Sequence, residues 1–192
     1  MSNKNTVKNN SFAAEIFEWL EMIILSACTV LLIFTFIARP ANVDGASMED
    51  TLHDKEMLVI SDLFYEPKQG DIIVFQKINS VHPAPIVKRV IATEGETIDI
   101  NFDTWTVTVT DIEGNKRVLD ESKYRKLLPD RRVTSNLEYP ITLGENELFV
   151  MGDNRNNSLD SRDSRIGIVN EKEIIGRVCL RAFPLNKFGT VN

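Results

Sequence analysis

The chain has 192 residues, of which 43% are hydrophobic and 26% are charged, and its formal net charge is −6. This composition suits one main globular domain and excludes a wholly disordered chain. The acidic balance argues against nucleic acid as the principal partner, because no surplus of basic residues is available to replace the counterions of a phosphate backbone.

The first predicted element is an apolar helix near the N-terminus, in residues 22–38, which carry no charge. Seventeen helical residues span roughly 26 Å, and residues 19–21 bring the segment close to the roughly 30 Å hydrocarbon core of a bilayer. A cleaved signal and a buried globular helix are the alternatives. The segment is longer than the apolar region of a typical signal peptide, and FIARPAN offers no good small-x-small cleavage site.

We therefore predict a single signal anchor within residues 1–40. Lys4 and Lys8 precede the apolar segment and favour a cytoplasmic N-terminus. The rest of the chain, residues 41–192, is then expected on the outer face of the cell membrane, because no second segment is apolar enough to return through the bilayer.

From Lys55 onward, short runs rich in β-branched residues alternate with turn-forming residues. The predicted strands are EMLVISDL, GDIIVFQKI, APIVKRVIA, ETIDINF, WTVTVTD, ELFVMGD and EIIGRVCLRAF. The pattern predicts a mainly β fold. A more polar part, about residues 103–147, is interpreted as an inserted smaller subdomain, with a hairpin at residues 113–115 and a short helix in ESKYRKLLPDRR.

Ser47 lies in the Gly-containing turn VDGASMEDTL and is a candidate nucleophile. A serine hydroxyl needs a neighbouring group to remove its proton, and the usual group is a histidine oriented by a carboxylate. The chain has two histidines. His53 is very near Ser47 in the same turn-like stretch, and His82 lies beside proline in a loop-like one, so we interpret both as surface histidines.

Lys88 is a second candidate base, because it interrupts the apolar strand PIVKRVIA on the face that carries Ile86 and Val90. Burial of that face would disfavour the ammonium, and a lysine base needs a pKa that is lowered by roughly 2 to 3 units. The alternative is an exposed lysine on an edge strand. The periodicity of the strand does not decide between a buried and an exposed Lys88, since Arg89 places a charge on the other face as well.

The third motif, FVMGDNRNNSLDSR, is a strand that runs into a polar loop. A calcium loop is disfavoured, because the glycine is misplaced for an EF-hand and no glutamate closes the loop. The more specific interpretation is that Ser158 and Asp160 orient a lysine amine beside a catalytic pair.

Four segments in this order, GASMEDTL, GDIIVF, IVKRVIATEGE and GDNRNNSLDSR, follow the single anchor. Together they resemble the type I signal peptidases, the Ser-Lys leader peptidases of bacteria, in their single-anchor Gram-positive form. The resemblance implies a β-rich catalytic domain in which Ser47 is the nucleophile and Lys88 the general base. It also implies that the Ser158 hydroxyl holds the lysine amine.

The same resemblance assigns supporting roles to other residues of these segments. It implies supporting polar positions at Asp160 and Arg162, and a structural ion pair between Arg89 and Asp153. It further implies that the Ser47 backbone N–H is the first oxyanion donor. The second donor stays open, because Gly45 stands where some family members have a serine, and a backbone N–H or a water would serve there instead.

The implied reaction is hydrolysis of secreted preproteins after a small residue by a serine endopeptidase that needs no metal and no cofactor. An extended substrate is expected to add to an exposed strand edge. The implied partners are preprotein signal peptides and the lipid bilayer, with a contact to the secretion translocon as a further expectation. No nucleic acid is expected.

Three positions depart from the family pattern. Asp50 stands where proline is usual, Ala92 where glycine is usual, and Glu94 where proline or glycine is usual. Asp50 is expected either to cap the following turn or to keep Lys88 protonated and lower the activity at neutral pH. These departures leave an alternative open, namely a specialised or catalytically weakened paralogue that acts on few substrates or only binds signal peptides.

Overall fold

The structure is a computed structural model that describes residues 5–77, 84–127 and 135–191, without the side chains of residues 5–11 and 36. His82 and the second half of the predicted helix in ESKYRKLLPDRR lie outside the described residues. The chain divides into two compact units, Met1–Arg39 and Pro40–Asn192.

The N-terminal unit is helical. Helix α1 runs over Asn5–Leu32 and continues into a π-helical turn at Ile33–Ile37. Within it, Phe12–Thr35 has a mean hydropathy of 2.1, and none of its most apolar window is buried by protein. A bilayer would cover such a surface, since a helix of this length satisfies its own backbone hydrogen bonds in hydrocarbon. The helix fits the predicted transmembrane anchor.

The second unit is mainly β, as predicted. The strands in the described residues are Arg39–Asn42 (β1), Met57–Ser61 (β2), Ile72–Phe75 (β3), Ile86–Ala92 (β4), Thr97–Asn101 (β5), Thr106–Thr110 (β6), Lys116–Val118 (β7), Ile141–Thr142 (β8), Glu147–Met151 (β9), Val169–Asn170 (β10) and Ile174–Phe183 (β11). Two short 3₁₀ helices occupy Glu171–Glu173 and Leu185–Lys187. Each of the seven predicted strands contains one of these, because alternating and continuous apolar runs both favour extended chain.

The larger sheet has seven strands in the order β1-β2-β11-β3-β4-β9-β10. Strand β4 lies inside it, antiparallel to β3 on one side and to β9 on the other. Its residues from Lys88 to Ala92 are all buried, so both faces of the strand are covered. The alternative that Lys88 points to solvent on an edge strand is therefore wrong.

The smaller sheet has four strands in the order β7-β6-β5-β8. Strands β6 and β7 form the predicted hairpin, since they pair antiparallel across residues 113–115. The insertion predicted at about residues 103–147 overlaps three of these four strands, and its limits stay a prediction. The predicted short helix is wrong for residues 121–127, which form turns and a bridge from Lys126 to Asn154.

Candidate active site

Ser47 lies in a tight turn between β1 and β2. The turn is possible because Gly45 takes a φ of +84°, a left-handed conformation that favours glycine. The side chains of Met48 and Leu52 are buried in the core beneath the turn, and the Leu52 N–H donates to the Met48 carbonyl at 2.8 Å. Gly45 before Ser47, and Met48 and Leu52 after it, thus shape the turn that carries Ser47.

Lys88 reaches this hydroxyl from β4. Its Nζ lies 2.7 Å from Ser47 Oγ and donates to the Val87 carbonyl at 2.8 Å. The residue is only 2% exposed. The structure thus brings together the two residues that the sequence predicted as a pair, although they are separated by 41 positions.

Burial lowers the pKa of Lys88 from 10.5 to about 8. Asp160 and Asp153 act against this shift, and Arg162 adds to it. With a pKa of about 8, about one lysine in ten is neutral at pH 7, compared with about one in 2500 for an ordinary lysine. Lys88 can therefore accept a proton at moderate pH.

Asp160 is the hub of the loop that follows β9. Its carboxylate accepts hydrogen bonds from the Gly152 N–H at 2.9 Å, from the Ser158 hydroxyl at 2.6 Å and from two Arg162 nitrogens at 2.7 Å each. Burial alone would raise the pKa of this carboxyl, but Arg162 and these donors hold it below its usual range. Asp160 is therefore an anion that is already paired.

The Ser158 hydroxyl donates to Asp160 in this structure, whereas both hydrogen bonds of Lys88 Nζ go to Ser47 and Val87. Ser158 is nevertheless close to the nucleophile turn. A Cβ added to Gly152 would collide with the Ser158 side chain and would lie 2.5 Å from the Ser47 carbonyl oxygen. The role of Ser158 as a holder of the lysine amine stays a prediction.

Asn154 fastens the same loop to the nucleophile turn. Its backbone N–H donates to the Ser47 carbonyl at 3.1 Å, and its side-chain amide donates to the Ala46 carbonyl at 3.0 Å. Sequence reasoning missed this residue. The available signal was its place in GDNRNNSLDSR, but a polar loop with several Asn residues does not reveal which amide makes the contact.

Arg89 points to the opposite face of β4 from Lys88. Its guanidinium binds Asp153 through two hydrogen bonds of 2.9 and 2.8 Å and donates to the Gly70 carbonyl at 2.8 Å. The Thr51 hydroxyl also donates to Asp153, so this buried pair reaches the nucleophile turn. Arg89 is thus a paired structural cation.

A second buried ion pair was not predicted. Arg155 binds Glu121 through two hydrogen bonds of 2.8 and 2.6 Å, and both side chains are almost fully buried. The Arg155 Nε also donates to the Gly152 carbonyl at 3.0 Å. Glu121 belongs to the polar segment that was predicted to be helical, so no sequence pattern connected it to the site.

Asp50 faces Lys126 instead of the Ser47–Lys88 pair. Its carboxylate accepts a hydrogen bond from Lys126 Nζ at 3.0 Å, and its side chain is 75% exposed. The charged groups that act on the pKa of Lys88 are Asp160, Arg162 and Asp153. No contact between Asp50 and Lys88 therefore supports the interpretation that Asp50 keeps Lys88 protonated.

The other two departures from the family pattern also lie away from the lysine amine. Ala92 is fully buried in the core between the two sheets, where its methyl group packs. The Glu94 carboxylate accepts a hydrogen bond from the Asn146 backbone at 2.6 Å. His53 Nδ1 lies 3.6 Å from a carboxylate oxygen of Glu56.

A cleft of about 270 Å³ opens beside Ser47 and Lys88. Its other lining residues come from the start of the nucleophile turn, from the approach to β4 and from Leu159: Asn42, Val43, Asp44, Met48, Ala84, Pro85, Ile86 and Val87. Most of these are apolar. In the described part of the sheet, the pairing of β4 with β9 starts at Arg89, so residues 86–88 leave one strand edge open toward this cleft.

Ser47 and Gly45, the two positions considered for oxyanion binding, differ in the partners of their backbone N–H groups. The Gly45 N–H donates to the Asp54 carboxylate at 2.9 Å. The Ser47 N–H has no acceptor among the described residues. Ser47 thus offers the amide that a developing oxyanion can use.

Comparisons with known proteins show which family the chain resembles. A family model described as "Signal peptidase, peptidase S26" matches residues 16–183. The signal peptidase I of Bacillus licheniformis is 34% identical over 188 residues, which cover 96% of this chain and 95% of that protein. The signal peptidase I S of Bacillus subtilis (strain 168) is 31% identical over an alignment of 200 positions, which covers both chains completely. A crystal structure of a signal peptidase I from Enterococcus faecalis V583 aligns with a TM-score of 0.45 and 27% identity, over 59% of this chain and 97% of that one.

Proposed function

The chain belongs to the signal peptidase family, peptidase S26, and we propose that it is a membrane-bound serine endopeptidase that removes N-terminal signal peptides from secreted preproteins after small residues. The observation that carries the proposal is the 2.7 Å contact between Lys88 Nζ and Ser47 Oγ. This contact joins a buried lysine of lowered pKa to a serine at the edge of an apolar cleft. A serine nucleophile needs such a neighbouring base.

The proposed reaction has two stages. Ser47 Oγ attacks the carbonyl carbon of the scissile bond while neutral Lys88 takes the hydroxyl proton, and the Ser47 N–H stabilises the oxyanion. The resulting ammonium donates its proton to the leaving amine as the C–N bond breaks and an acyl-enzyme ester remains. Lys88 then removes a proton from a water molecule, which attacks the ester carbonyl carbon. The Lys88 ammonium returns this proton to Ser47 Oγ as the ester C–O bond breaks and the carboxylate is released.

The cleft is suited to an extended chain with small side chains. The open edge of β4 at residues 86–88 supplies backbone groups for strand addition, which gives affinity with little dependence on sequence. Selectivity then comes from shallow apolar contacts with residues such as Val43, Met48 and Ile86. The cleft volume of about 270 Å³ has to hold several substrate residues, so it leaves little space for a bulky side chain at any one of them.

In this proposal, the apolar N-terminal helix holds the enzyme at a membrane. The apolar helix over Phe12–Thr35 ends only a few residues before β1 begins at Arg39. We propose a single-pass protein with its N-terminus in the cytoplasm and its catalytic domain on the outer face, where a preprotein held by its own signal helix presents its cleavage site near the bilayer. A contact with the secretion translocon stays a prediction.

The test is the cleavage of a purified reporter preprotein by the full chain in lipid vesicles. Wild type should release the mature protein, and Ser47→Ala and Lys88→Ala should each lower the rate by about 1000-fold or more, as expected when a nucleophile or its base is lost. Ser61→Ala, which changes a serine outside the cleft, is the control and should retain the rate.

The same experiment separates the weakened paralogue from the active enzyme. If wild type binds the signal peptide but shows no turnover at any pH between 7 and 10, the proposal is contradicted and a binding protein is supported. Turnover that survives in Lys88→Ala would show that the proposed base is wrong.

A further inference from the structure

A short segment of the polar middle region, residues 121–126, lies against the active-site loop, and we call it the brace. The Lys126 N–H donates to the Asp153 carbonyl at 2.8 Å, and the Arg155 N–H donates to the Lys126 carbonyl at 3.0 Å. At the other end of the brace, the buried Glu121 holds the Arg155 guanidinium. Between the two ends, the Tyr124 ring lies 4.1 Å from the guanidinium carbon of Arg89.

The Lys126 side chain extends from the brace to the nucleophile turn. Its Nζ donates to Asp50 at 3.0 Å and to Glu49 at 3.4 Å. These two residues follow Ser47 at the second and third positions. The backbone of Lys126 is thus held by the loop that carries Asp153 and Asp160, while its ammonium is held by the turn that carries Ser47.

The carboxylates of Glu49 and Asp50 differ from the rest of the nucleophile turn in their partner. Asn154 holds the carbonyls of Ala46 and Ser47, and Asp153 holds the Thr51 hydroxyl. Within the described residues, the contacts that reach the side chains of Glu49 and Asp50 come from Lys126. The turn itself is also held by the buried Met48 side chain and by a hydrogen bond from the Glu49 N–H to the Ala46 carbonyl at 3.3 Å. Lys126 adds the link between the carboxylates of Glu49 and Asp50 and the loop after β9.

We infer that Lys126 is a positioning residue for Ser47, which it holds in register with Lys88 by pairing with Glu49 and Asp50. The inference rests on the proposed function, because it concerns the geometry of that same pair. Proton transfer and attack depend on distances of about 3 Å, and a displacement of about 1 Å can lower a rate by about 100-fold. The three side chains are partly exposed, so we expect a moderate and salt-sensitive effect.

The test is preprotein cleavage by full-length Lys126→Met, Lys126→Arg and Lys123→Met in lipid vesicles. Lys123 is an exposed lysine of the same brace and is the matched control. Lys126→Met should lower kcat by about 3- to 10-fold with KM changed less than about twofold, because substrate contacts stay in place. Lys126→Arg should recover most of kcat, and Lys123→Met should match wild type.

Two further readouts separate positioning from a general loss of structure. The pH midpoint of cleavage should be the same in Lys126→Met and wild type, since Lys126 is not among the charges that shift the pKa of Lys88. An increase from about 0.05 M to about 0.5 M NaCl should lower kcat of wild type but leave that of Lys126→Met unchanged, because salt screens exposed ion pairs.

A double substitution supplies the last control. Glu49→Gln/Asp50→Asn should lower kcat as Lys126→Met does, and the triple variant should show no additional loss, since both changes remove the same interaction. A kcat of Lys126→Met within about 1.5-fold of wild type, or additive losses in the triple variant, would overturn the inference. If wild type is active and Ser47→Ala is inactive, that outcome leaves the proposed function intact; if wild type is inactive, the proposed function itself fails.

Discussion

Lys88 and Arg89 are neighbours on β4, and both are 2% exposed, yet they differ in what surrounds their charge. Arg89 lies on one face and makes two hydrogen bonds to the Asp153 carboxylate and one to a carbonyl. Lys88 lies on the other face, where its hydrogen bonds go to a hydroxyl and a carbonyl. The same depth of burial thus accompanies one paired cation and one cation that has no direct carboxylate contact among the described residues.

The difference shows how burial alone does not decide the role of a charged residue. A buried cation with a carboxylate partner remains charged and contributes to the structure. A buried cation without one loses its proton more easily, because desolvation disfavours the charged form. Asp160 stands near Lys88 but is already occupied by Arg162, so its attraction only partly opposes the lowering of the lysine pKa.

The largest expected effect on stability is at Arg89. Arg89→Met would leave Asp153 buried without its cation, and we expect the free energy of unfolding to fall by about 3–5 kcal/mol. The measurement is urea unfolding of the full chain in detergent, followed by Trp105 fluorescence in a Trp19→Phe background. Arg89→Met/Asp153→Leu is the matched control and should recover part of the loss. A loss of less than about 1 kcal/mol would contradict the role of Arg89 as a buried structural cation, since exposed ion pairs contribute that much.

At Lys88 the sign is reversed. The folded-state pKa of about 8 lies below the unfolded value of 10.5, so burial of the ammonium destabilises the fold at every pH below about 8. This cost disappears as the pH rises from about 8 to 10.5, where the unfolded chain holds more protons than the folded one. Lys88→Met should therefore raise the free energy of unfolding at pH 7 by about 3 kcal/mol.

The same unfolding assay checks this prediction. The gain in Lys88→Met over wild type should shrink toward zero as the pH increases to 10.5. A gain that is independent of pH would indicate that packing, and not the buried charge, is responsible. Destabilisation by Lys88→Met at pH 7 would contradict the comparison directly.

A smaller effect is expected at Ser158, whose hydroxyl donates to Asp160 at 2.6 Å. Ser158→Ala removes one of several donors from Asp160 and a polar neighbour from the site, and we expect kcat to fall by about 10-fold. The melting temperature should remain near that of wild type, because Arg162 and the Gly152 N–H still hold the carboxylate. A collapse of the melting temperature would instead indicate a structural hydroxyl.

The smallest effect is expected at Asp50, whose charge is exposed and paired with Lys126. Asp50→Asn should leave the pH midpoint of cleavage within about 0.2 units of wild type, because the pair is screened by solvent. A midpoint that moves to lower pH would mean that Asp50 does hold Lys88 in its charged form. The Asp50 carboxylate would then have to be added to the charges that act on the pKa of Lys88.

Sequence patterns were sufficient for seven of the eleven strands in the described residues. The seven predicted strands are present because β-branched runs bounded by turn residues have few alternatives. Periodicity could not decide between a buried and an exposed Lys88, since β4 is covered on both faces and an interior strand shows no alternation. Ser47 and Lys88 were paired through the resemblance of four ordered segments, and not through spacing.

The brace shows where sequence reasoning failed. ESKYRKLLPDRR has residues with reasonable helix propensity, but Glu121 and Lys126 have partners in the loop after β9. Contacts made across a large sequence separation overrode the local preference. For Asp50 the sequence left two roles open and did not indicate Lys126 as a partner, because Lys126 lies 76 positions away and nothing in the sequence connects them.

The most direct test of the account is the pH dependence of kcat/KM for preprotein cleavage by wild type, since this profile reports the pKa of the essential base in the free enzyme. The lowered pKa of Lys88 predicts a rate that rises about tenfold per pH unit below the midpoint and levels off above a midpoint of about 8. A profile that is flat from pH 6 to pH 10, or one with a midpoint near the ordinary lysine value of 10.5, would contradict the claim that Lys88 is the base that activates Ser47.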